Sequence, residues 1–390
     1  MWYERVLNVW CTLVQCWLNV GCIRAQCELN PGSRGLHGGC ILAPKKGDQQ
    51  EEERGKEPKK TRRQWEKPPK LLVEEPSEEL DDLENREAHN VDFAVMLREA
   101  SLNDNHLEVQ EILQKRPDVI NDKDMNSGQT ALHIASAKGN IETVKVLIEH
   151  EADIESVDNE GCTPLHEASI QKGDTDTIRC LIQHGVDPNH MMRVAHTWVT
   201  PLFIGSCSGQ KEVVEFLLQS GANADFTTAS GATSLYKAAE SGDAGIVELL
   251  LDYKADTETP FHGTEGVMTP LFVASSKGNI STVKRLLEGN ANPNFEGTNG
   301  ITPLIIATKN DHAAVVKLLL SHGAGTNAAF RQGGDTKTAL YIASEKGNTN
   351  IVELLLQIKA PNDVTSKDIA TSLHIATKNR HTAVVELLQD

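Results

Sequence analysis

The chain has 390 residues, of which 39% are hydrophobic and only 4% aromatic, and its formal net charge is −17. Residues 1–90 carry 14 basic and 16 acidic side chains, so residues 91–390 carry the remaining −15. Nucleic acid and anionic lipid both need a basic face, so the acidic balance argues against either as the main partner. The scarcity of aromatic residues favours helical packing over a β-sandwich.

The N-terminal segment 1–27 is an apolar leader with conflicting features. Its stretch Val6–Ile23 is mostly apolar, but it is interrupted by Asn8, Thr12 and other polar residues, and no net positive charge precedes it. A signal peptide or a spanning helix needs a cleaner apolar run. We therefore expect an unstructured leader or a misassigned start, with a signal or a membrane anchor as the alternative.

Residues 28–90 are predicted to be a disordered, charged linker. The part from Lys45 to Lys70 has ten basic and six acidic residues, and the following twenty residues have one basic and eight acidic. Such a composition buries too little apolar surface to offset chain entropy. The basic run is more typical of a solvated linker, and nuclear import is its alternative function.

The cysteines indicate the compartment. Five of the eight lie in the first 40 residues, and Cys162, Cys180 and Cys207 are scattered through the remainder without any CxxC pair. Isolated thiols of this kind are typical of a reducing environment. We expect a cytoplasmic protein, with the nucleus as a further location and secretion or membrane tethering as the alternative.

A change of pattern at Val91 marks the start of the folded domain, 91–390. The first part predicts two short helices, with Leu107, Ile112 and Leu113 on one face of the second.

A recurring tetrapeptide dominates the rest of the chain. Its eight copies begin at Thr130, Thr163, Thr200, Thr233, Thr269, Thr302, Thr338 and Thr371, with spacings of 33, 37, 33, 36, 33, 36 and 33 residues. Each threonine can cap a short helix, and a proline often follows it at the first helical position. An Ala-rich helix, a Gly or Asn turn and a second apolar helix come next. One such unit cannot bury its own apolar face, so the units must stack.

The copies TPLHEAS at Thr163 and VVKLLLSHGA at Val315 closely resemble the ankyrin repeat family. The resemblance covers about eight repeats plus an atypical leading unit. It implies an all-α repeat solenoid, an ankyrin-like stack of helix–turn–helix units with β-hairpin fingers. It also implies that partner proteins bind to the concave face that fingers and first helices form.

The spacings alternate in a regular way. The value of 37 contains one added residue in the turn after Ser169, and without it the spacings alternate between 33 and 36. The three extra residues lie in every second finger, before Thr200, Thr269 and Thr338. The underlying period is therefore a double unit of 69 residues, which indicates paired duplication.

No catalytic, cofactor or metal motif accompanies the repeats. The signature histidine remains at His133, His166 and His374, and apolar or aromatic residues replace it in the other copies. Histidines one or more repeats apart cannot form one site, so we expect them to be structural. We predict no enzyme activity, no cofactor and no metal.

The last repeat ends at AVVELLQD without a polar capping unit. Solenoid ends normally need such a unit for solubility. Val384, Val385, Leu387 and Leu388 are then expected at an open end. Such an end indicates either a truncated product or an end that pairs with something, through which the chain could oligomerise.

A set of large apolar residues in the fingers forms the predicted protein-binding site. Its members are Met192, Trp198, Phe226, Phe261, Phe295 and Phe330. The regular spacing of the four phenylalanines and Met192 is consistent with contact anchors along one edge, and equally with packing between neighbouring fingers. We thus predict a scaffold or adaptor that binds unidentified partner proteins, with a secreted or membrane-tethered binding protein as the alternative.

Overall fold

The computed structural model describes residues 92–170, 175–194, 197–263, 266–332, 335–357 and 365–389, all within one compact unit. The predicted leader 1–27 and linker 28–90 lie outside these residues. The described residues form successive pairs of antiparallel helices with short hairpins between some of them. The predicted fold class is confirmed.

The helices follow one another in nine pairs within the described part of the chain. They are α1 (Phe93–Leu102), α2 (His106–Lys115), α3 (Ala131–Lys138), α4 (Ile141–Glu149), α5 (Pro164–Ile170), α6 (Thr175–Gln183), α7 (Pro201–Cys207), α8 (Lys211–Gln219), α9 (Ser234–Ser241), α10 (Ala244–Asp252), α11 (Pro270–Lys277), α12 (Ile280–Glu288), α13 (Pro303–Lys309), α14 (Ala313–Ser321), α15 (Ala339–Lys346), α16 (Thr349–Gln357), α17 (Ser366–Lys378) and α18 (Thr382–Gln389). Single 3₁₀ turns occupy Pro117–Val119 and Thr298–Gly300.

The repeated threonine caps the first helix of most units, as predicted. Thr302 Oγ1 accepts a hydrogen bond from the backbone N–H of Ile305 at 3.3 Å, and Pro303 occupies the first position of α13. The cap satisfies an N–H group that has no partner inside the helix. The same cap is present at Thr130, Thr200, Thr233, Thr269 and Thr338.

The eighth copy departs from this pattern, so the predicted helix start at Thr371 is wrong. Helix α17 begins at Ser366, and Thr365 is its N-cap. A reciprocal pair of bonds between Thr365 and Asp368 forms a capping box, which is a strong start signal. Thr371 lies inside the helix and donates its hydroxyl proton to the carbonyl oxygen of Asp368.

The segments between units are called fingers here and are numbered 1 to 7: residues 121–129, 151–162, 185–199, 221–232, 254–268, 290–301 and 323–337. Antiparallel strands occur in the three long fingers. Finger 3 holds β1 (Met192–Val194) and β2 (Thr197–Val199), finger 5 holds β3 (Phe261–Gly263) and β4 (Gly266–Met268), and finger 7 holds β5 (Ala329–Gln332) while β6 (Asp335–Thr338) runs from it to the next cap. The described short fingers close with single turns, such as the bond from Thr228 N to Ala232 O at 3.0 Å. A finger with the three extra residues therefore forms a hairpin, whereas a finger without them closes with a turn.

One continuous core runs through the stack. First helices pack on the first helices of neighbouring units, and second helices do the same. Leu304 in α13 is 1% exposed, and Leu235 in α9 is fully buried. The prediction for Leu107 is wrong, because this side chain is exposed at the start of α2 while Val109 enters the core with Ile112.

At the last pair, Val384 and Leu388 are buried, and Val385 and Leu387 are half-buried against the core. Among all described helices, none is both long and apolar enough to cross a bilayer.

Candidate functional site

The fingers are joined to one another by hydrogen bonds. Asn159 in finger 2 donates its backbone N–H to Ser127 O at 3.1 Å and its side-chain amide to Asn126 O at 3.0 Å, both in finger 1. Later fingers are joined through Ala229 N to Thr197 Oγ1 at 3.4 Å, His262 N to Ser230 O at 2.8 Å and Val267 N to Thr298 Oγ1 at 3.0 Å. Loops held in this way present their side chains on a fixed platform.

A second set of hydrogen bonds connects the bases of the fingers. Asn189 Oδ1 accepts the backbone N–H of Asn223 in the next unit at 2.7 Å. The N–H of Asn189 itself donates to Asp187 Oδ1 at 2.9 Å. Equivalent inter-unit bonds run from Asp153 N to Asn121, Asp187 N to Glu155, Asp256 N to Asp225, Asn292 N to Glu258 and Gly325 N to Asn294. This ladder is not among the features predicted from the sequence, although an Asp, Asn or Glu at one place in each of fingers 1 to 6 is its visible signal.

Three of the predicted binding residues are buried. Met192 is 1% exposed, and Cys162 Sγ lies 3.6 Å from its sulfur. Phe261 packs its ring on that of Tyr236 with centroids 4.4 Å apart, and Phe330 is equally buried. These buried side chains pack into the core and so stabilise the attachment of the fingers to the stack.

The other three predicted residues are more accessible. Phe226 and Phe295 are half-buried in the middle of short fingers, and Trp198 on β2 is 50% exposed. Trp198 is therefore the member of the predicted set that offers the most surface to a partner.

Three further exposed apolar residues lie in fingers 1 to 3 and are not among the predicted binding residues. Met191 is 49% exposed, while the adjacent Met192 is buried, because successive residues of an extended chain point to opposite faces. Met125 in finger 1 is 99% exposed, and Val157 in finger 2 is 38% exposed. The adjacent methionines Met191 and Met192 were the visible sign of an exposed apolar side chain in the sequence. Which of the two faces solvent depends on the hairpin register, in which Met192 pairs with Val199.

Finger 2 carries a concentration of negative charge. It contains Asp153, Glu155, Asp158 and Glu160 together with Glu151, and no basic residue. Asp158 has a structural role, since its Oδ1 accepts the N–H groups of Glu160 at 2.9 Å and Cys162 at 2.8 Å. Burial and the neighbouring charge of Asp158 raise the pKa of Glu160.

The signature histidines of the second and third units are internal parts of the fold. His133 Nδ1 lies 2.8 Å from Thr130 Oγ1, and its Nε2 lies 3.0 Å from the carbonyl oxygen of Cys162. Burial lowers the pKa of His133. Burial, assisted by the neighbouring His190, lowers the pKa of His166 to about 3. Both rings are therefore neutral at physiological pH, whereas His374 is exposed.

One group of described side chains has the composition of a metal site. Ligand atoms of Asp158, Cys162 and Glu167 lie within 4.8 Å of one another. Burial raises the pKa of Cys162, which disfavours the thiolate that a metal would need. Glu167 accepts a hydrogen bond from Gln129 Nε2 at 2.6 Å, and Asp158 is bound to backbone N–H groups. These contacts account for the group as part of the packing among finger 1, finger 2 and α5.

Comparison with known families decides the class of protein. A family model described as ankyrin repeats in three copies matches residues 97–192, 192–260, 259–329 and 326–390. The chain belongs to the ankyrin repeat family.

Relatives and solved structures agree with this membership. An ankyrin repeat and KH domain-containing protein of Caenorhabditis briggsae is 34% identical over 158 residues, which are 40% of this chain and 6% of that protein. The mouse protein fem-1 homolog A-like is 36% identical over 110 residues, which are 28% of this chain and 16% of the relative. The crystal structure of the human ASB11 ankyrin repeat domain is 29% identical, with a TM-score of 0.50, and the match covers 60% of this chain and 99% of that domain. The chain therefore spans only a small part of these two longer relatives.

Ankyrin repeats generally mediate binding between proteins and are generally not catalytic. The fingers and first helices described above are thus the surfaces to examine for a partner.

Proposed function

We propose that this protein is a non-enzymatic scaffold or adaptor that binds partner proteins through its fingers and first helices. The observation that carries the proposal is the hydrogen-bonded row of fingers, which holds exposed apolar side chains such as Met125 and Trp198 in fixed positions. A preorganised surface loses little entropy on binding, and Met and Trp are among the residues enriched at interfaces.

A row of side chains also recurs along the first helices. The position four residues after each repeated threonine is apolar in six of the eight units, from Ile134 to Ile375. The two exceptions are Glu167 and Lys237, which carry opposite charges. Lys237 Nζ forms an ion pair with Glu240 at 2.8 Å, and both side chains are about one-tenth exposed. Because Ile204, Val273, Ile342 and Ile375 are buried as well, this row belongs mainly to the packing of the stack and offers little surface to a partner.

We also propose that the protein is located in a reducing compartment, the cytoplasm. Two free thiols, Cys162 and Cys180, are buried in the packed units and lie apart in the fold. Their burial is consistent with thiols that serve as small hydrophobic side chains.

Matched surface variants test the proposal. The full chain with Trp198→Ser and Phe295→Ser alters the fingers, and the control with Leu107→Ser and Ile280→Ser removes exposed apolar residues from second helices. Quantitative affinity capture from cells is expected to lose its specific partners with the first variant and to keep them with the second. Equal melting midpoints of both variants exclude a folding defect. Partners that depend on Leu107 and Ile280 and not on the fingers would contradict the proposal.

A further inference from the structure

Exposed apolar residues are unevenly distributed over the described part of the chain. Eight large hydrophobic side chains are exposed there, and four of them lie in three consecutive fingers. These four are Met125 in finger 1, Val157 in finger 2, and Met191 and Trp198 in finger 3; we call them the N-terminal finger surface. The other four, Val95, Leu107, Tyr253 and Ile280, lie in or at the ends of separate helices. Concentration of this kind is typical of an interaction site, whereas single exposed residues are not.

Contacts between the fingers hold this surface in place. Lys123 Nζ donates to the carbonyl oxygen of Val157 at 2.6 Å, which joins fingers 1 and 2 beside the Val157 side chain. Asn159 adds its two bonds to finger 1. In finger 3, Trp198 is the cross-strand partner of Arg193, and Met192 beside Met191 is anchored in the core. The exposed side chains therefore project from an ordered backbone.

Acidic groups lie in the middle finger of the three. Finger 2, which separates Met125 from Trp198 along the stack, has five carboxylates and no basic side chain. Lys123 is engaged with a carbonyl oxygen, so it does not neutralise finger 2 by a direct ion pair within the described contacts. A partner with basic groups would complement this charge.

Resting on the proposed function, we propose that the N-terminal finger surface docks an extended segment of a partner protein that carries bulky apolar side chains flanked by Lys or Arg. The apolar side chains contact Met125, Met191 and Trp198, and the basic side chains face the carboxylates of finger 2. A second copy of the chain is a poor occupant, because it would bring its own acidic finger against this one. A nucleic acid strand is a poor occupant for the same electrostatic reason.

Selection from a randomised short-peptide library on the immobilised full chain tests the proposal. We expect the selected peptides to be enriched in Lys and Arg next to Trp, Phe, Leu or Met. Fluorescence anisotropy then measures their affinity for the full chain and for the variant Met125→Ser, Met191→Ser, Trp198→Ser. The variant is expected to bind at least roughly tenfold more weakly, the loss typical of interface anchors. Added salt is expected to weaken binding to the unaltered chain.

The matched control is the variant Leu107→Ser, Tyr253→Ser, Ile280→Ser, which removes the same number of exposed apolar side chains elsewhere. It is expected to bind the peptides as the unaltered chain does. Selected peptides without basic residues, equal affinity for both variants, or recovery of no peptide would overturn the proposal. So would concentration-dependent dimerisation that the finger variant abolishes, or tight binding of a single-stranded DNA probe at this surface.

The two proposals fail separately. If cellular capture depends on the fingers while peptide binding does not, only the assignment of a basic, apolar segment is wrong. If capture itself is independent of the fingers, the proposed function is wrong.

Discussion

A Cβ atom on Gly278 would lie 2.6 Å from Nδ1 of His312, and the same relationship recurs between Gly347 and His381 at 2.5 Å. Both glycines have φ of +77° and end the first helix of a unit. Both histidines lie in the turn between the two helices of the next unit, with Nε2 3.1 Å from a carbonyl oxygen. The two pairs are 69 residues apart. The same contact between neighbouring units therefore recurs after one double period, as expected from paired duplication.

The first prediction concerns this contact. Gly278→Ala places a methyl group against His312 in a backbone conformation that costs non-glycine residues about 1 kcal/mol or more. Gly323→Ala is the control, since Gly323 has φ of +82° but nothing within 4 Å of an added Cβ. Urea unfolding is expected to show a larger loss for Gly278→Ala. Equal losses would mean that the histidine moves away without cost.

Leu304 tests the repeat register. It is 1% exposed between neighbouring first helices, so Leu304→Ala is expected to lower the free energy of unfolding by about 2–5 kcal/mol. The control Leu107→Ala changes a side chain that is 63% exposed and is expected to cost within about 0.5 kcal/mol. A thermal midpoint that is unaffected by Leu304→Ala would show that this position is not part of the core.

The aromatic residues of the fingers divide into two classes. Phe261→Ser removes a ring that packs on Tyr236 and is expected to cost about 3 kcal/mol or more, as deletion of a buried aromatic side chain does. Trp198→Ser is expected to cost clearly less, about 1 kcal/mol, because half of the side chain is in solvent. Calorimetry of both variants checks the division; similar losses would contradict it.

The buried His166 is expected to make the free energy of unfolding depend on pH. Its pKa is about 3 in the folded chain and ordinarily about 6.5, so the unfolded chain binds more protons between these values. The stabilisation is complete above about pH 6.5 and is lost as pH falls towards 3, by up to about 1.4 kcal/mol per pH unit. His166→Phe, which places at this position the residue found in the next unit at Phe203, is expected to flatten the profile between these limits. Identical profiles for both proteins would assign the dependence to other groups.

Local signals in the sequence predicted much of the fold. The caps at Thr302 and its equivalents, and the hairpins in long fingers, depend on residues close in the chain. The start of α17 was missed because Thr365 and Asp368 form a stronger cap than Thr371 can. Leu107 was misplaced because a helix of 3.6 residues per turn allows two apolar phases in so short a segment.

The binding surface was harder to predict for a related reason. Whether Met191 or Met192 faces solvent depends on the strand register, and a shift of one residue exchanges the two faces. Only the chemistry of Trp198 marks it in the sequence, and its exposure depends on the same pairing. Contacts between residues distant in sequence, such as Lys123 with Val157, leave no mark in a repeat pattern.

Hydroxyl-radical footprinting of the full chain with a captured partner tests most directly whether the fingers are the binding face. Met125 and Trp198 report on the fingers, while Leu107 and Ile280 report on the second helices within the same molecule. We predict that partner binding reduces oxidation of the two finger residues and leaves the two helix residues unchanged. Protection of Leu107 and Ile280, with Met125 and Trp198 oxidised as in the free protein, would contradict the account.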